Sequence, residues 1–210
     1  MVEQLTQSED NGSNPISPLI FHNEIKKISH AELKKLVTKF HYLGEKAFRA
    51  SFCYGLFIDG KLSGGIVYHG ISAPETAVGA FGLSRTEQSG LWEIGRLVLI
   101  PEINGKNFGS FLISRSLKML IKETTVKAVI TYAEAPRHNG GIYRASNFIY
   151  CGLTTPKKDF YINGVKKERG ITKGVIGGEW RPRPQKHRFV RIFDPTLHLK
   201  WNIETKKENL

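Results

Sequence analysis

The chain has 210 residues, 40% of them hydrophobic, with 31 Lys and Arg against 19 Asp and Glu. This length and composition are typical of one folded domain and exclude a small disulfide-stapled protein and a low-complexity chain. The formal net charge of +12 points to an anionic partner, most often nucleic acid, with a solvated basic surface as the alternative.

The compartment follows from what the sequence lacks. The two cysteines, Cys53 and Cys151, are isolated, which favours a reducing compartment over a disulfide framework or a zinc site. No apolar run approaches the roughly 18 residues of a membrane span, and the first residues are polar and acidic, unlike a signal peptide. We therefore expect a soluble cytoplasmic protein without a membrane partner. Its oligomeric state stays open, a dimer included.

The first elements in chain order are a polar segment and a helix. Residues 1–20 are predicted to be a disordered lead-in. Ser29 and Glu32 have the spacing of a capping box, which predicts a helix over residues 30–43.

A hairpin and a long strand follow. The pair Asp59-Gly60 joins two strand-like runs, which predicts a hairpin over residues 50–70. Residues 71–90 are predicted to be a loop. The alternating run at 91–100 predicts a long strand that ends at a proline.

The second half alternates between helix and strand. We predict a helix at 111–123, a buried strand at 126–135, a short helix carrying Tyr143 and a hairpin at 159–170. This order indicates an α+β fold with a mixed central sheet flanked by helices.

The C-terminal part is less regular and strongly basic. We predict one domain over residues 21–175 and a basic appendage over 176–210, with a final strand plus a basic tail as the alternative for the latter.

The loop between the long strand and the next helix runs from Asn104 to Ser110. Glycines let a backbone approach a ligand, and the free N–H groups of a helix N-terminus can bind an anion. The spacing leaves open a pyrophosphate cradle and a plain turn. The order strand, loop, helix, strand, tyrosine-bearing helix resembles the GNAT superfamily of N-acetyltransferases. That family usually has Arg or Gln first in this loop and glycines at the fourth and sixth places, where this sequence has Asn104, Asn107 and Gly109.

The GNAT resemblance implies an acetyltransferase-like fold and binding of acetyl-CoA. The residues it assigns to this cofactor are Arg96, Leu97, Val98, Asn104, Gly105, Lys106, Asn107, Gly109 and Ser110.

Three segments carry a closer resemblance: FHYLGE (40–45), WEIGRLVL (92–99) and AVITYAEAPRHNGGIYRASNFIYCG (128–152). They resemble the phage Mom family, DNA-modifying proteins built on the acetyltransferase fold. The resemblance implies conversion of adenine in DNA to N6-carbamoylmethyladenine, which protects phage DNA from host restriction. It places the active site on His41, Tyr42, Glu134 and Tyr143, although the family usually has Asp where this sequence has Glu134.

The resemblance also implies roles, each with a structural alternative. Tyr143 would protonate the departing CoA thiolate, or pack in the core. Glu134 would accept a hydrogen bond from the adenine N6 amino group or act as a base. Its alternative is a surface carboxylate paired with Arg137. Tyr42 would stack on a nucleobase, or pack in the core. His41 would be a base or a ligand of the iron ion associated with the family, or would cap a helix.

Basic residues alternate with aromatic ones near the C-terminus, a composition that suits contact with DNA phosphates. The predicted DNA-binding residues are Arg181, Arg183, Lys186, His187, Arg188 and Arg191. An exposed basic tail without a defined role is the alternative.

Together these features predict a DNA adenine modification enzyme that uses acetyl-CoA, with iron as a second cofactor by resemblance. Two other functions stay open. One is a conventional GNAT N-acetyltransferase acting on a protein, a tRNA or a small amine. The other is a catalytically silent DNA-binding protein.

Overall fold

The computed structural model describes residues 22–167 and 177–202. Its elements are β1 (Asn23–Lys27), α1 (His30–Phe40), β2 (Phe52–Ile58), β3 (Lys61–Gly70), α2 (Pro74–Phe81), β4 (Leu91–Leu99), α3 (Phe108–Glu123), β5 (Ala128–Glu134), α4 (Gly141–Arg144), β6 (Ile149–Leu153), β7 (Lys157–Ile162), β8 (Val165–Lys166), β9 (Gly178–Arg183) and β10 (Lys186–Ile192). The predicted lead-in, residues 1–20, lies outside the described residues. None of the helices in the described ranges has both the length and the hydropathy to cross a membrane.

Local sequence signals fix α1 and the first hairpin as predicted. The Ser29 side chain accepts a hydrogen bond from the Glu32 N–H, and the Glu32 carboxylate accepts one from the Ser29 N–H, which completes the capping box. Asp59 and Gly60 both have positive φ, +47° and +79°, as a two-residue turn between twisted strands requires.

A seven-stranded sheet in the order β1-β2-β3-β4-β5-β10-β6 forms the centre of the domain. Every neighbouring pair is antiparallel except β4 and β5, which are parallel. That parallel pair holds over three positions only, from Leu91↔Ala128 to Glu93↔Ile130. Beyond Glu93 the two strands diverge, and the sheet opens between them.

Helices cover both faces of this sheet. In β5, Val129 packs with α1 and α3, whereas its neighbours Ala128 and Ile130 pack with α2 on the opposite face. The helix α2 lies within residues 71–90, where the sequence predicted a loop, so that prediction was wrong for 74–81. Its buried face consists of Ala77, Ala80 and Phe81, too short an apolar pattern to indicate a helix by itself.

The C-terminal segment enters the sheet. The strand β10 lies between β5 and β6, and its Phe189 and Val190 are fully buried. For residues 186–192 the observed structure is therefore the final strand, a part of the domain, and not the appendage placed beyond residue 176.

A second sheet, in the order β8-β7-β9, leaves the domain beside β10. We call it the arm, residues 157–167 and 178–183. Its buried carboxylate, Asp159, binds Arg183 through two oxygens and Lys166 at 2.6 Å. These cations hold the pKa of Asp159 well below its usual range, so the carboxylate is charged at neutral pH and ties the three strands together.

Candidate active site

A cavity of about 800 Å³ opens where β4 and β5 diverge. Its walls are the end of α1, the outer half of β4, the end of β5 and the loop between β5 and α4. Nine predicted site residues line it: His41, Tyr42, Arg96, Leu97, Val98, Asn104, Glu134, Tyr143 and Lys186. The structure therefore brings the predicted catalytic residues and part of the predicted cofactor site together.

The end of α1 delivers His41 and Tyr42. His41 ends the helix as its C-cap, and its backbone N–H donates to the carbonyl of Val37 at 2.9 Å. The imidazole stacks on the Tyr42 ring with centroids 4.6 Å apart, and its Nδ1 accepts a hydrogen bond from the Leu43 N–H at 3.1 Å. Burial, together with Arg96 and His138 nearby, lowers the pKa of His41 to about 4, so the ring is neutral near pH 7.

Tyr42 is not part of the core, because 42% of it is exposed. The guanidinium of Arg137 lies over its ring at 5.2 Å, and Arg137 also pairs with Glu134 at 3.5 Å. Burial of the hydroxyl and the charge of Glu134 raise the pKa of Tyr42, so the phenol keeps its proton. The end of β5 thus presents a carboxylate, a guanidinium and an aromatic face side by side. The predicted pairing of Glu134 with Arg137 is present, and it lies within the cavity wall.

Tyr143 belongs both to the core and to the cavity. It is only 8% exposed, and its ring packs against Phe189 and Phe148 at centroid distances of 5.3 and 5.9 Å. Burial raises its pKa, which the nearby Thr131 hydroxyl opposes. The two hydroxyls do not reach hydrogen-bond geometry, since Thr131 Oγ1 is buried without a partner among the described residues. The phenol is therefore protonated, and its hydroxyl donates to no acceptor among the described residues.

Arg96 provides the cavity with a positive charge, and the Glu93 carboxylate in the same cavity wall is close enough to act on it electrostatically. Arg96 forms no ion pair in the described part of the chain, and its Nη1 donates only to the carbonyl of Gly95 at 2.7 Å. Its Nε is buried without a partner. Desolvation of this half-buried group lowers its pKa. An arginine held in this way is prepared to bind an anion.

The loop from Asn104 to Ser110 reaches the cavity with Asn104 only. Gly105 and Asn107 have positive φ, +78° and +61°, and α3 begins at Phe108 without a side-chain cap. No described side chain caps the N–H groups of the first turn of α3, and residues 105–110 do not line the cavity itself. Gly109 has a packing reason as well, because a Cβ there would overlap the Ile142 side chain of α4.

Most of the predicted DNA-binding residues are engaged within the protein. Arg181 pairs with Glu179, and Arg183 with Asp159. His187 shares a hydrogen bond with the Tyr150 hydroxyl at 2.8 Å, and the Arg188 guanidinium lies over the Trp201 ring at 4.6 Å. Arg191 donates to the carbonyl of Ser146 at 2.9 Å. Lys186 lines the cavity, and its ammonium group forms no hydrogen bond to a described residue. The Arg188 guanidinium also forms none with a described residue, and its Nε is buried without a partner there.

The cavity residues that the sequence analysis missed as site residues include Glu93, Arg137 and His138. His138 faces Tyr42 with ring centroids 5.7 Å apart. Arg137 and His138 directly follow the buried strand that ends at Glu134, and that position is the available signal, since ligands gather at the carboxyl ends of such strands.

The described residues do not provide a set of ligands for the predicted iron ion. Among the described residues, no three side chains of His, Cys, Asp or Glu are gathered as metal ligands. The single His41 does not make such a site.

Comparison of the sequence with known protein families identifies the family. The sequence matches the Mom protein family over residues 22–207, nearly its whole length. The chain belongs to the Mom protein family. In this Mom family member, the cavity lies within the matched range, together with every predicted site residue. No curated protein matches the chain.

Solved structures confirm the acetyltransferase-like fold of this family member. The ribosomal-protein-S18-alanine N-acetyltransferase from Escherichia coli aligns with a TM-score of 0.51 at 12% identity, covering 90% of this chain and 99% of that one. The IAA acetyltransferase from Bacillus cereus aligns at 0.52 and 12% identity, covering 82% and 100%. A Bacillus subtilis acetyltransferase in complex with CoA aligns at 0.50 and 12% identity, covering 82% and 99%. At such identities the similarity shows the fold alone.

Proposed function

We propose that this protein modifies adenine in DNA, using an acyl-CoA to place a carbamoylmethyl group on N6 and so to protect the DNA from restriction. The observation that carries the proposal is that the four residues assigned to catalysis meet in one cavity. The side chains that the Mom resemblance assigns to catalysis come from two distant segments, and all four line one cavity.

The cavity fits an acyl-CoA in charge and shape. The outer half of β4 has no hydrogen-bonded neighbour on its β5 side, so its backbone is open to an extended ligand. Arg96 supplies a positive charge that is in no ion pair with a described residue, and the start of α3, which has no side-chain cap, would bind the pyrophosphate if that group extends beyond the cavity past Asn104. When bound, an acyl-CoA supplies an activated two-carbon unit. To give this product from an acetyl unit, N6 must bond to the methyl carbon, which loses a hydrogen in a two-electron oxidation, and a nitrogen donor must replace the CoA thiol at the carbonyl carbon. The reaction therefore requires an oxidant and a nitrogen-bearing reactant besides the acyl-CoA.

The opposite wall fits a nucleobase. An enzyme that acts on N6 must take adenine out of the base stack. The half-exposed ring of Tyr42 offers a stacking surface, and the Glu134 carboxylate beside it can accept a hydrogen bond from an exocyclic amino group. Tyr143 holds a proton at a hydroxyl that it can donate to a developing negative charge.

The arm is the element best placed to hold DNA next to this cavity. The chain that follows the arm is tied to the cavity rim. There the Ala135 N–H donates to the carbonyl of Gln185 at 2.9 Å, and Lys186 lies opposite Glu134 in the backbone register of β10 and β5. On the arm, Lys157 and Lys158 are exposed and form no ion pair with a described residue. We therefore assign phosphate contact to these lysines and to Lys186, and leave Arg183 its structural ion pair.

Exposed aromatic surface supports the same assignment. Trp180 is 56% exposed on β9 and contacts the ring of Phe160 at 5.1 Å, which holds the indole in place. An indole that is fixed and exposed next to lysines suits packing against sugars or bases.

The experiment is mass spectrometry of deoxynucleosides from bacteria that express the protein, beside calorimetry of the purified protein with acetyl-CoA. A carbamoylmethylated deoxyadenosine and measurable acetyl-CoA binding are expected. Binding of acetyl-CoA with unchanged DNA would overturn the proposal in favour of an N-acetyltransferase of other amines. DNA binding without acetyl-CoA binding would favour the silent DNA-binding protein.

A further inference from the structure

We propose that His41 carries its proton on Nε2 and works as a hydrogen-bond donor toward a carbonyl oxygen in the cavity, neither as a base nor as a metal ligand. The identity of the acceptor, the acyl carbonyl of the acyl-CoA, rests on the proposed function. The position of the proton does not.

The first step is the hydrogen bond at the other ring nitrogen. The Leu43 N–H donates to Nδ1 at 3.1 Å. A backbone N–H cannot give up its proton, so Nδ1 must offer a lone pair and cannot carry a hydrogen. The turn that follows α1 thereby selects the tautomer.

The second step is the charge around the ring. Arg96 approaches from β4 and His138 from the loop after β5, and Tyr42, beside Glu134, stacks on the ring from its own segment. Two neighbouring groups that are cationic or can become so, together with partial burial, disfavour the imidazolium. The ring is therefore neutral near pH 7, and its single proton lies on Nε2.

The third step concerns the surroundings of Nε2. His41 lines the cavity and is half-buried, and Nε2 has no hydrogen-bond partner among the described residues. A base needs a lone pair facing the substrate, and the only lone pair of this ring is used by Leu43. A metal bound at Nε2 would require loss of the single N–H proton of the ring, which would leave an anionic imidazolate. Donation from Nε2 is the role that remains.

A neutral N–H donor of this kind suits a carbonyl oxygen that gains negative charge during reaction. It stabilises the charge without losing a proton, and removal of one such donor typically costs 100- to 1,000-fold in rate. Arg96, close to His41, favours the same charge.

The direct test is nitrogen NMR of the full-length protein labelled with ¹⁵N-histidine, without any ligand. The His41→Gln variant assigns the His41 signals by their absence. We expect an unprotonated Nδ1 and a protonated Nε2, unchanged from pH 8 down to pH 5.5. A protonated Nδ1, or titration of His41 near its ordinary pKa, would overturn the proposal. This outcome is independent of whether the protein modifies DNA.

The functional test compares three variants in the adenine modification assay. We expect a loss of 100-fold or more in His41→Ala, partial recovery in His41→Gln, whose amide can donate, and none in His41→Glu, which offers a base and a metal ligand. Acetyl-CoA affinity should change little across the series, and all three variants should lose a similar, modest amount of stability, because each removes the ring that stacks on Tyr42 and accepts from the Leu43 N–H. Recovery by Glu and not by Gln would contradict the donor role. If the unaltered protein leaves adenine unmodified, the proposed function fails, and the NMR result alone decides the tautomer.

Discussion

Gly140 and Gly141 stand side by side before Tyr143, yet different constraints act on them. Gly140 has a φ of +72°, and a Cβ there would overlap the ring of Phe189, which is fully buried. Gly141 begins α4 with ordinary φ, and its nearest neighbour is the end of the Asn139 side chain at 3.3 Å. Only Gly140 lets the chain turn tightly enough to hold Tyr143 against the cavity.

We predict that Gly140→Ala lowers the free energy of unfolding by about 2–4 kcal/mol, the sum of left-handed backbone strain and overpacking. The matched variant Gly141→Ala should cost less than about 1 kcal/mol, because helix formation favours alanine. Urea denaturation of both variants measures the difference. Equal stability of the two would mean that the turn does not depend on the left-handed conformation.

Arg96 represents the opposite case, a residue whose role is expected to reduce stability. A half-buried cation without a carboxylate partner is costly to the fold. We predict that Arg96→Met weakens acetyl-CoA binding by 10-fold or more, since a hydrogen bond to a charged group contributes about 1.5–3 kcal/mol. The melting temperature should stay the same or rise.

The control for Arg96 is Arg115→Met. Arg115 is exposed on α3 and lies over the Phe111 ring at 5.5 Å, away from the cavity. It should leave acetyl-CoA affinity unchanged in calorimetry. A wild-type affinity in Arg96→Met, with the fold intact, would remove Arg96 from the cofactor site.

At the scale of elements, the arm gives a quantitative prediction. Each phosphate contact contributes about 0.9 to the slope of log affinity for DNA against log salt concentration. The double variant Lys157→Gln/Lys158→Gln should therefore lower that slope by about 2. The control is Lys118→Gln/Lys122→Gln on α3, beside the edge strand β1 at the far side of the sheet. An equal loss in both variants would show that the net charge of the protein, and not the arm, holds DNA.

Elements with strong local signals were predictable from the sequence. The capping box of α1, the Asp59-Gly60 hairpin and the long strand β4 each depend on residues close together in the chain. The helix α2 was missed because its buried face is small and packs only in the tertiary structure, in a cluster with residues of β4, β5, β6 and β10. The strand β10 was left between two alternatives because just Phe189 and Val190 are fully buried, whereas its other residues are partly or fully exposed and, except for Ile192, polar.

At the scale of the whole molecule, the site depends on one feature that no local pattern indicates, the divergence of β4 and β5. His41 and Glu134 became candidates by resemblance, and only tertiary structure places them in one cavity. The basic C-terminal stretch shows the limit of reasoning from composition. Its residues were predicted to contact DNA, but Arg183 and Arg188 contact protein groups instead.

The most direct test of the account is the fraction of modified deoxyadenosine in cells expressing Tyr143→Phe. The change removes a hydroxyl without a hydrogen-bond partner of good geometry, so stability should change by less than about 1 kcal/mol. Modification should fall 100-fold or more. The control is Tyr68→Phe, which breaks a buried hydrogen bond to Ser116 outside the cavity. This variant should lose about 1 kcal/mol of stability and keep full modification. Modification retained in Tyr143→Phe, or absent from the unaltered protein, would contradict the account.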